Sequence, residues 1–223
     1  RYGLFGLLTA LAVGLDQWLG KDTYQFRCVD DDYSSAGTDH QKYALFLCET
    51  VIRSDMDSTD SQKKIITFGK NNNYKDSEIR KWLWDRCTGE AGLQMGAGAL
   101  MPVNVGVCTA FLGQTSPGTE GEAAETELVK YTLLPQMMSD RMFLLSVEEA
   151  LKYREELWDT VSEESPYSRG YWLRTPVYQE GENGGFIYGT EAYAVDLRDG
   201  TIGPAEVSDG SFGLRPAYCL PQS

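Results

Sequence analysis

The first apolar segment of the chain follows the spacing of one helix face. Its apolar residues recur every three or four positions: Leu4, Leu8, Leu11, Leu15 and Trp18. About a dozen apolar residues are too few to cross a bilayer as a helix, so no membrane span is expected. The spacing predicts an amphipathic helix within residues 1–23 that packs on the body, with a leader remnant as the alternative. Its apolar face needs a cover, either the chain's own domain or a second copy in a homo-oligomer.

The period changes from helical to alternating after this segment. Apolar and polar side chains alternate over residues 24–29, and residues 43–48 are almost continuously apolar. These two patterns predict two strands of one sheet. A polar stretch over residues 53–75 predicts a loop, and Asp76 or Ser77 is suited to cap the helix that follows.

The middle of the chain gives a weaker pattern. Residues 89–118 are rich in glycine and alanine and show no clear period, so we expect an insertion folded against the core. Residues 140–145 predict a strand. Ser146 and Glu149 have the spacing of a capping box, which predicts a helix over residues 148–158.

From Ser165 onward, short apolar runs alternate with turns. This part contains six tyrosines, nine glycines and four arginines but no lysine. The runs at residues 171–175, 192–197 and 213–219 predict strands, and Asp199-Gly200 predicts a tight hairpin. We therefore expect an antiparallel sheet with loops in the last quarter of the chain.

Length and charge narrow the class of protein. A chain of 223 residues with 42% hydrophobic residues suits one large globular domain, which we place at residues 24–223. The 33 acidic and 20 basic side chains give a formal net charge of −13. Such a chain repels phosphate backbones, and no basic cluster interrupts it, so nucleic acid is not an expected partner. The single histidine, His40, excludes most histidine-based catalysis.

The five cysteines show neither a CxxC spacing nor a neighbouring histidine, so a zinc site is not expected. Buried free thiols favour a reducing compartment, and a disulfide within a subset is the alternative. The location stays open between the cytoplasm, a phage particle and a cell surface.

Four short landmarks occur in order along the chain. They are SEIRKWL at residues 77–83, FLLSVEEA at 143–150, YWLRTP at 171–176 and GLRPA at 213–217. In this order they resemble a bacterial and phage domain family of uncharacterised function whose members look C-type-lectin-like. The resemblance covers roughly residues 24–221. It implies an α+β fold of the C-type-lectin type, in the variant of formylglycine-generating enzymes, with mixed antiparallel sheets and two or three helices.

The chain also resembles the variable proteins of diversity-generating retroelements, in which adenine-directed mutagenesis rewrites a C-terminal segment. This resemblance implies a variable display region at about residues 165–221. Tyrosine supplies contact area at small entropy cost, and serine, glycine and asparagine supply adaptable hydrogen bonds. The candidate ligand-binding residues are Tyr167, Ser168, Tyr171, Tyr178, Asn183, Phe186, Tyr188, Tyr193, Ser208, Asp209 and Ser211.

A second group of residues matches positions that the resembled family uses for its scaffold. These are Trp82, Trp172, Arg174 and Arg215. Both arginines lie near prolines, and we expect their guanidinium groups to satisfy loop carbonyls or carboxylates.

The leading hypothesis is a non-enzymatic protein that displays Tyr/Ser/Asn-rich C-terminal loops to an unknown protein or cell-surface ligand. One alternative is an enzyme on the same scaffold, of the formylglycine-generating type or a hydrolase. Another is a structural domain of a phage or surface protein. The chain lacks the Glu-Pro-Asn and Gln-Pro-Asp tripeptides of lectin calcium loops and a recognisable pair of catalytic thiols. We therefore expect no metal, no cofactor and no catalytic residue.

Overall fold

The fold is built mainly from strands. A computed structural model describes residues 15–19, 22–34, 42–52, 65–88, 100, 102–116, 125–154, 157 and 169–222. The strands are β1 Leu15–Leu19, β2 Asp22–Tyr33, β3 Tyr43–Cys48, β4 Val103–Ser116, β5 Glu125–Asp140, β6 Gly170–Pro176, β7 Gln179–Glu180, β8 Phe186–Ile187, β9 Glu191–Asp196, β10 Ile202–Glu206, β11 Phe212–Gly213 and β12 Ala217–Pro221. The helices are a 3-10 turn at Tyr74–Asp76, α1 at Glu78–Thr88 and α2 at Val147–Lys152.

The first sheet has the strand order β1-β2-β3-β12, with every neighbouring pair antiparallel. Residues 24–29 and 43–48 lie in β2 and β3, which pair with each other, so the prediction of two strands of one sheet is confirmed. On the other side of β3, Cys219 of β12 lies opposite Leu45. The C-terminal strand is thereby packed into the N-terminal half of the fold.

The second sheet has the order β10-β9-β6-β11, in which β11 is parallel to β6 and the other pairs are antiparallel. The β9–β10 connection turns at Gly200, whose φ of 70° lies in the left-handed region that glycine adopts without strain. The hairpin predicted at Asp199-Gly200 is confirmed.

Two further strand pairs occur among the described residues. The β4–β5 pair is a long antiparallel ribbon, and β7–β8 is a small hairpin. The ribbon is fixed to the second sheet where Arg174 Nε of β6 donates to the carbonyl of Gly106 in β4, at 2.8 Å.

Two apolar cores lie on the two faces of strand β3. Ala44, Phe46 and Cys48 belong to one core, and the intervening residues Tyr43, Leu45 and Leu47 belong to the other. Because successive side chains of a strand point to opposite faces, this strand is buried on both sides. We call the first core A, which contains Trp172, and the second core B, which contains Phe143.

Both α-helices begin at side-chain caps. Ser77 Oγ accepts a hydrogen bond of 3.0 Å from the N–H of Arg80 in α1. At α2, Ser146 Oγ accepts from the N–H of Glu149, and the Glu149 carboxylate accepts from the N–H of Ser146. The capping box predicted from the sequence is confirmed.

The expected α+β C-type-lectin-like fold is wrong, because the described chain is mostly β-strand and forms several sheets. Residues 89–118, which we expected to be an insertion folded against the core, contain strand β4 over residues 103–116. Val103, Val105 and Val107 are buried at every second position, but the intervening glycine obscured this alternation in the sequence.

The N-terminal helix predicted over residues 1–23 is wrong where the structure describes this segment. Residues 15–19 form β1 and residues 22–23 begin β2, with Leu19 opposite Asp22. The antiparallel ladder to β2 satisfies the backbone in an extended form, which helical side-chain spacing alone does not reveal. The homo-oligomer was expected to form through that helix, and residues 15–19 and 22–23 provide no helix for such an interface. Residues 1–14 lie outside the described residues.

Two shorter predictions also differ from the structure. Strand β5 ends at Asp140, and beyond it Phe143 forms only an isolated bridge with Ala217, so residues 140–145 are not one strand. Helix α2 ends at Lys152 and a turn follows at Tyr153, but Arg154 and Leu157 are again helical, so the helix predicted over residues 148–158 is interrupted; Trp158 lies outside the described residues. Neither described α-helix has the length and apolar character needed to cross a membrane.

Candidate functional site

The β7–β8 hairpin gathers three aromatic side chains at the protein surface. The ring centroid of Phe186 lies 5.8 Å from that of Tyr178 and 5.0 Å from that of Tyr188. Ile187 and Tyr188 have exposed fractions of 44% and 38%. We call Tyr178, Phe186, Ile187 and Tyr188 the aromatic patch. Such rings present large apolar area with few rotatable bonds, which suits a contact surface.

A glycine-rich turn closes the hairpin that carries the aromatic patch. Gly181 N–H donates to the carbonyl of Gly185 at 2.8 Å, and Gly184 N–H donates to the carbonyl of Gly181 at 2.9 Å. Gly184 has a φ of 75°, which an L-amino acid with a side chain rarely adopts. The turn therefore depends on glycine at this position.

The buried side chain of Asn72 holds the base of the hairpin. Its Nδ2 donates to the carbonyls of Val177, at 3.1 Å, and Glu191, at 2.7 Å. Its Oδ1 accepts from the N–H of Gly189 at 2.9 Å. These three bonds join the two chain segments that enter and leave the hairpin. Sequence reasoning missed this residue, because the run Asn71-Asn72-Asn73 is typical of a loop and does not single out its middle member.

The hairpin also contacts the β4–β5 ribbon. Gln136 Nε2 of β5 donates a hydrogen bond to the Tyr188 hydroxyl. Two effects raise the pKa of Tyr188 above its ordinary value: partial burial is the larger, and the negative charge of Asp76 is the smaller. The phenol therefore stays neutral at physiological pH and remains available for polar contacts.

The surroundings of the aromatic patch are acidic. Between Arg174 and Arg198 the sequence contains Glu180, Glu182, Glu191 and Asp196 but no lysine or arginine. The three glutamates are exposed. The hairpin that carries the patch therefore contributes only negative charge to the surroundings of the patch.

The structure separates the eleven candidate ligand-binding residues into several groups. Tyr178, Phe186 and Tyr188 form most of the aromatic patch, and Asn183 is exposed in its turn. Ser208 is exposed, whereas Asp209 and Ser211 are half-buried, in the turn before β11. Tyr167 and Ser168 lie outside the described residues.

Tyr171 and Tyr193 do not lie on an exposed face. Their exposed fractions are 2% and 4%, and both side chains pack in core B. Tyr171 lies on β6 and Tyr193 on β9, and alternate side chains of both strands enter core A and core B, so neither strand has a solvent-facing side at these positions. The expected display role is therefore corrected for these two tyrosines.

The four proposed scaffold residues lie inside or against the body. Trp172 is fully buried between Phe68 and Phe212, at ring-centroid distances of 5.5 and 5.2 Å. The Arg86 guanidinium lies 5.1 Å from the ring centroid of half-buried Trp82. Arg215 is buried and donates from Nε to the carbonyl of Cys48 at 2.8 Å.

Arg174, the fourth scaffold residue, forms a buried ion pair with Glu149. Its Nη2 lies 2.8 Å from Glu149 Oε1, and the two side chains have exposed fractions of 5% and 13%. Tyr33 Oη also donates to Glu149 Oε1, at 2.7 Å. Burial would raise the pKa of Glu149, but the positive charge of Arg174 and the hydrogen bonds hold it below its ordinary value. The carboxylate is therefore ionised at neutral pH.

A second polar group lies next to this ion pair. Lys152 Nζ donates to Asp30 Oδ2 at 2.7 Å and to Tyr153 Oη at 3.1 Å. Tyr153 also donates to Asp30. Burial opposes ionisation of Asp30, but the bonds from Lys152 and Tyr153 hold its pKa below the ordinary value.

Both polar groups border a cavity of about 310 Å³. Strand β2 supplies Tyr33 at its end and Ser34 just after it, β4 supplies Gly106 and β6 supplies Arg174 and Thr175. Residues at and after the start of α2, including Glu148 and Lys152, form the remaining side. Sequence reasoning predicted Glu149 only as a cap and Arg174 only as scaffold, because the residues around the cavity are far apart in sequence.

Cys48 and Cys219 do not form a reactive pair. Cys48 and Cys219 are both buried, but their side chains pack in core A and core B respectively. Burial raises the pKa of Cys48 to about 12 and also raises that of Cys219. Both thiols are thus poor nucleophiles in the folded protein. Within the described ranges, no group of three or more His, Cys, Asp or Glu residues is arranged to hold a metal ion.

Comparison with known proteins places the chain in one family. Residues 43–222 match the family described as Domain of unknown function (DUF6273), and the chain belongs to this family. The matched range includes the aromatic patch and most of the cavity lining. No curated protein and no solved structure matches the chain.

Proposed function

We propose that this chain is a non-enzymatic binding protein that presents the aromatic patch to a protein or cell-surface ligand. The observation that carries the proposal is the surface cluster of Tyr178, Phe186 and Tyr188, with ring-centroid distances of 5.0 to 5.8 Å, beside exposed Ile187. Aromatic residues are the commonest energetic anchors of protein interfaces.

The hairpin is arranged to limit the entropy cost of binding. The rings support one another, Asn72 fixes the two chain segments at the base, and Gln136 contacts the hydroxyl of Tyr188. A surface that is already ordered loses less freedom when a partner binds. This supports binding over a passive structural role.

Charge restricts the partner further. The glutamates at positions 180, 182 and 191 give the border of the patch a negative potential. A complementary partner has an apolar centre and a neutral or basic rim, and its association slows as salt concentration rises.

The proposal also retains the sequence-based prediction that the display region, at about residues 165–221, varies among retroelement copies. It does not depend on a C-type-lectin scaffold. Sequencing the encoding locus tests it: a nearby reverse transcriptase and a near-copy of the coding 3′ end that differs only at adenines are expected. If the locus contains neither the reverse transcriptase nor the near-copy, the retroelement origin is contradicted. The binding proposal is tested separately.

The binding test compares variants of the patch with a matched surface control. Fluorescently labelled wild type is titrated onto host-cell surface material, and unlabelled wild type or an unlabelled variant is added as the competitor. Phe186→Ser and Ile187→Ser are expected to abolish competition, whereas Trp84→Ser, which removes an exposed aromatic side chain from α1, is expected to compete fully. Equal competition by the patch variants and the wild type would contradict the proposal.

A further inference from the structure

The cavity beside Arg174 and Glu149 is distinct from the aromatic patch and has the features of a small-molecule site. We propose that it binds a small neutral molecule rich in hydroxyl groups, that is, a sugar or polyol. Its volume of about 310 Å³ lies near the lower end of the range for small-molecule pockets, which suits one small ring compound.

The cavity has a rigid, buried floor and an open rim. On the floor, Arg174 is fixed by the carbonyls of Gly106 and Leu144, at 2.8 and 2.7 Å, and by the carboxylate of Glu149. On the rim, Ser34 and Glu148 are exposed. A ligand can therefore enter from solvent and meet polar groups whose positions are set before it binds, which reduces the cost of binding.

The charges at the cavity argue against an anionic ligand. Arg174 is paired with Glu149, Lys152 is paired with Asp30 at 2.7 Å, and Glu148 adds a further negative charge at the rim. An anion therefore gains no net electrostatic attraction there. For a neutral ligand, hydrogen bonding to groups that are already paired within the site is the main source of polar affinity.

The remaining hydrogen-bonding capacity is mixed. The Thr175 hydroxyl accepts from the N–H of Val147 at 3.0 Å, which leaves its own proton for a ligand. The Ser146 hydroxyl accepts from the N–H of Glu149, which likewise leaves its own proton for a ligand. Glu148 supplies carboxylate acceptors at the rim, and Ser34 supplies a hydroxyl that both donates and accepts. Hydroxyl groups match this mixture, because each one also donates and accepts.

Aromatic rings complete the match to a sugar. Tyr33 and Tyr153 both line the cavity, and their hydroxyls are occupied by Glu149 and Asp30. Phe143 stacks on the ring of Tyr33 and the Lys152 ammonium lies over the ring of Tyr153, so what these two residues offer a ligand is the carbon edge of each ring. The C–H groups of a sugar ring or cyclic polyol suit such an apolar contact. A purely polar ligand such as phosphate would leave this part of the lining without a partner.

The test uses ligand-observed NMR, by saturation transfer, on the full chain. The probes are D-glucose, D-galactose, N-acetyl-D-glucosamine and myo-inositol, with methyl phosphate and acetate, whose methyl protons are observable, as charged probes. We expect saturation transfer to at least one of the four neutral probes and none to methyl phosphate or acetate. If none of the four neutral probes binds, or if only the charged probes bind, the proposal is overturned.

Rim variants locate the binding. Ser34→Trp places a large ring over the entrance from an exposed position and is expected to abolish the signal, and Glu148→Leu is expected to weaken affinity by about tenfold. Ser34→Ala keeps the entrance open and is expected to weaken binding only by the loss of one hydroxyl group, and the thermal unfolding midpoint of each variant controls for folding. Phe186→Ser alters only the aromatic patch and is expected to bind the sugar as wild type. Unchanged binding in Ser34→Trp would overturn the cavity assignment without affecting the proposed function of the patch.

Discussion

Asn72 and Gly189 are joined by two hydrogen bonds of opposite direction. The Asn72 side-chain Oδ1 accepts from the N–H of Gly189, and the Asn72 N–H donates to the Gly189 carbonyl, both at 2.9 Å. Because the same side chain also binds the carbonyls of Val177 and Glu191, one buried residue controls how the hairpin is attached to the body.

Replacement of Asn72 is therefore expected to loosen the aromatic patch. Asn72→Ala leaves two carbonyls and one N–H without their side-chain partner, and each unsatisfied buried group costs about 1–3 kcal/mol. We expect a lower free energy of unfolding by urea and faster amide exchange in residues 177–191. Asn183→Ala, an exposed asparagine in the turn of the same hairpin, should change neither quantity. Unaltered exchange in Asn72→Ala would show that the hairpin is held by other contacts.

A pair of glycines offers a test of the second sheet. A Cβ at Gly170 would lie 1.8 Å from the carbonyl oxygen of Val195, which is backbone and cannot move without separating β6 from β9. At Gly203 of β10 a Cβ would meet no atom within 4 Å.

We expect Gly170→Ala to lower the free energy of unfolding by about 2–4 kcal/mol or to prevent folding, because backbone must shift. Gly203→Ala should be neutral or slightly stabilising, since alanine restricts the unfolded chain. Urea denaturation of the two variants measures both effects. Similar midpoints for the pair would contradict the close approach of β6 and β9.

The buried ion pair between Arg174 and Glu149 predicts a strong asymmetry between single and double variants. Arg174→Met leaves the Glu149 carboxylate buried without its cation, and loss of one partner of such a pair costs about 3–5 kcal/mol. The double variant Arg174→Met with Glu149→Met should recover part of that loss, because no unpaired charge remains. Lys42→Met breaks the exposed pair of Lys42 with Asp32 and should change the urea midpoint little. Additive losses in the double variant would contradict this coupling.

Stability should fall on acidification. Hydrogen bonds from Arg198 and Arg169 hold the pKa of Asp196 far below its ordinary value, and Arg174 holds the pKa of Glu149 below its ordinary value despite burial. A carboxylate whose pKa is lowered by folding stabilises the protein above its unfolded pKa, about 4, and this contribution is lost as pH falls toward the folded pKa.

The urea midpoint of the wild type is thus expected to be nearly constant from about pH 5 to 7 and to decrease below about pH 4. Asp196→Asn, which cannot ionise, should show a lower midpoint at neutral pH and a shallower decrease in acid. An equally steep decrease in this variant would indicate that Asp196 does not carry the effect.

Local signals in the sequence predicted parts of the fold well. The Asp199-Gly200 turn, the capping box of Ser146 with Glu149 and the pairing of β2 with β3 depend on residues that are close in sequence or strongly patterned. Such features are decided by backbone conformation and by short-range hydrogen bonds, which sequence spacing reports directly.

The remaining features are decided by contacts between distant residues. Strand β4 follows a glycine-rich stretch, and its pairing with β5 fixes it as extended. The inward direction of Tyr171 depends on the sheet in which it pairs rather than on its residue type. Asn72 acts across more than one hundred residues on Val177 and Gly189. No local pattern contains this information, which is why the tertiary context prevailed over sequence-based expectation.

The alternation of strand β3 between core A and core B has a consequence for how the protein unfolds. Its six residues supply three side chains to each core, so neither core can open while the other stays closed around this strand. A shift of β3 by one residue would exchange the two sets, but would place Phe46 away from Tyr218, with which it is stacked at 5.2 Å. Because both cores share this strand, loss of structure in one core is expected to be accompanied by loss of structure in the other.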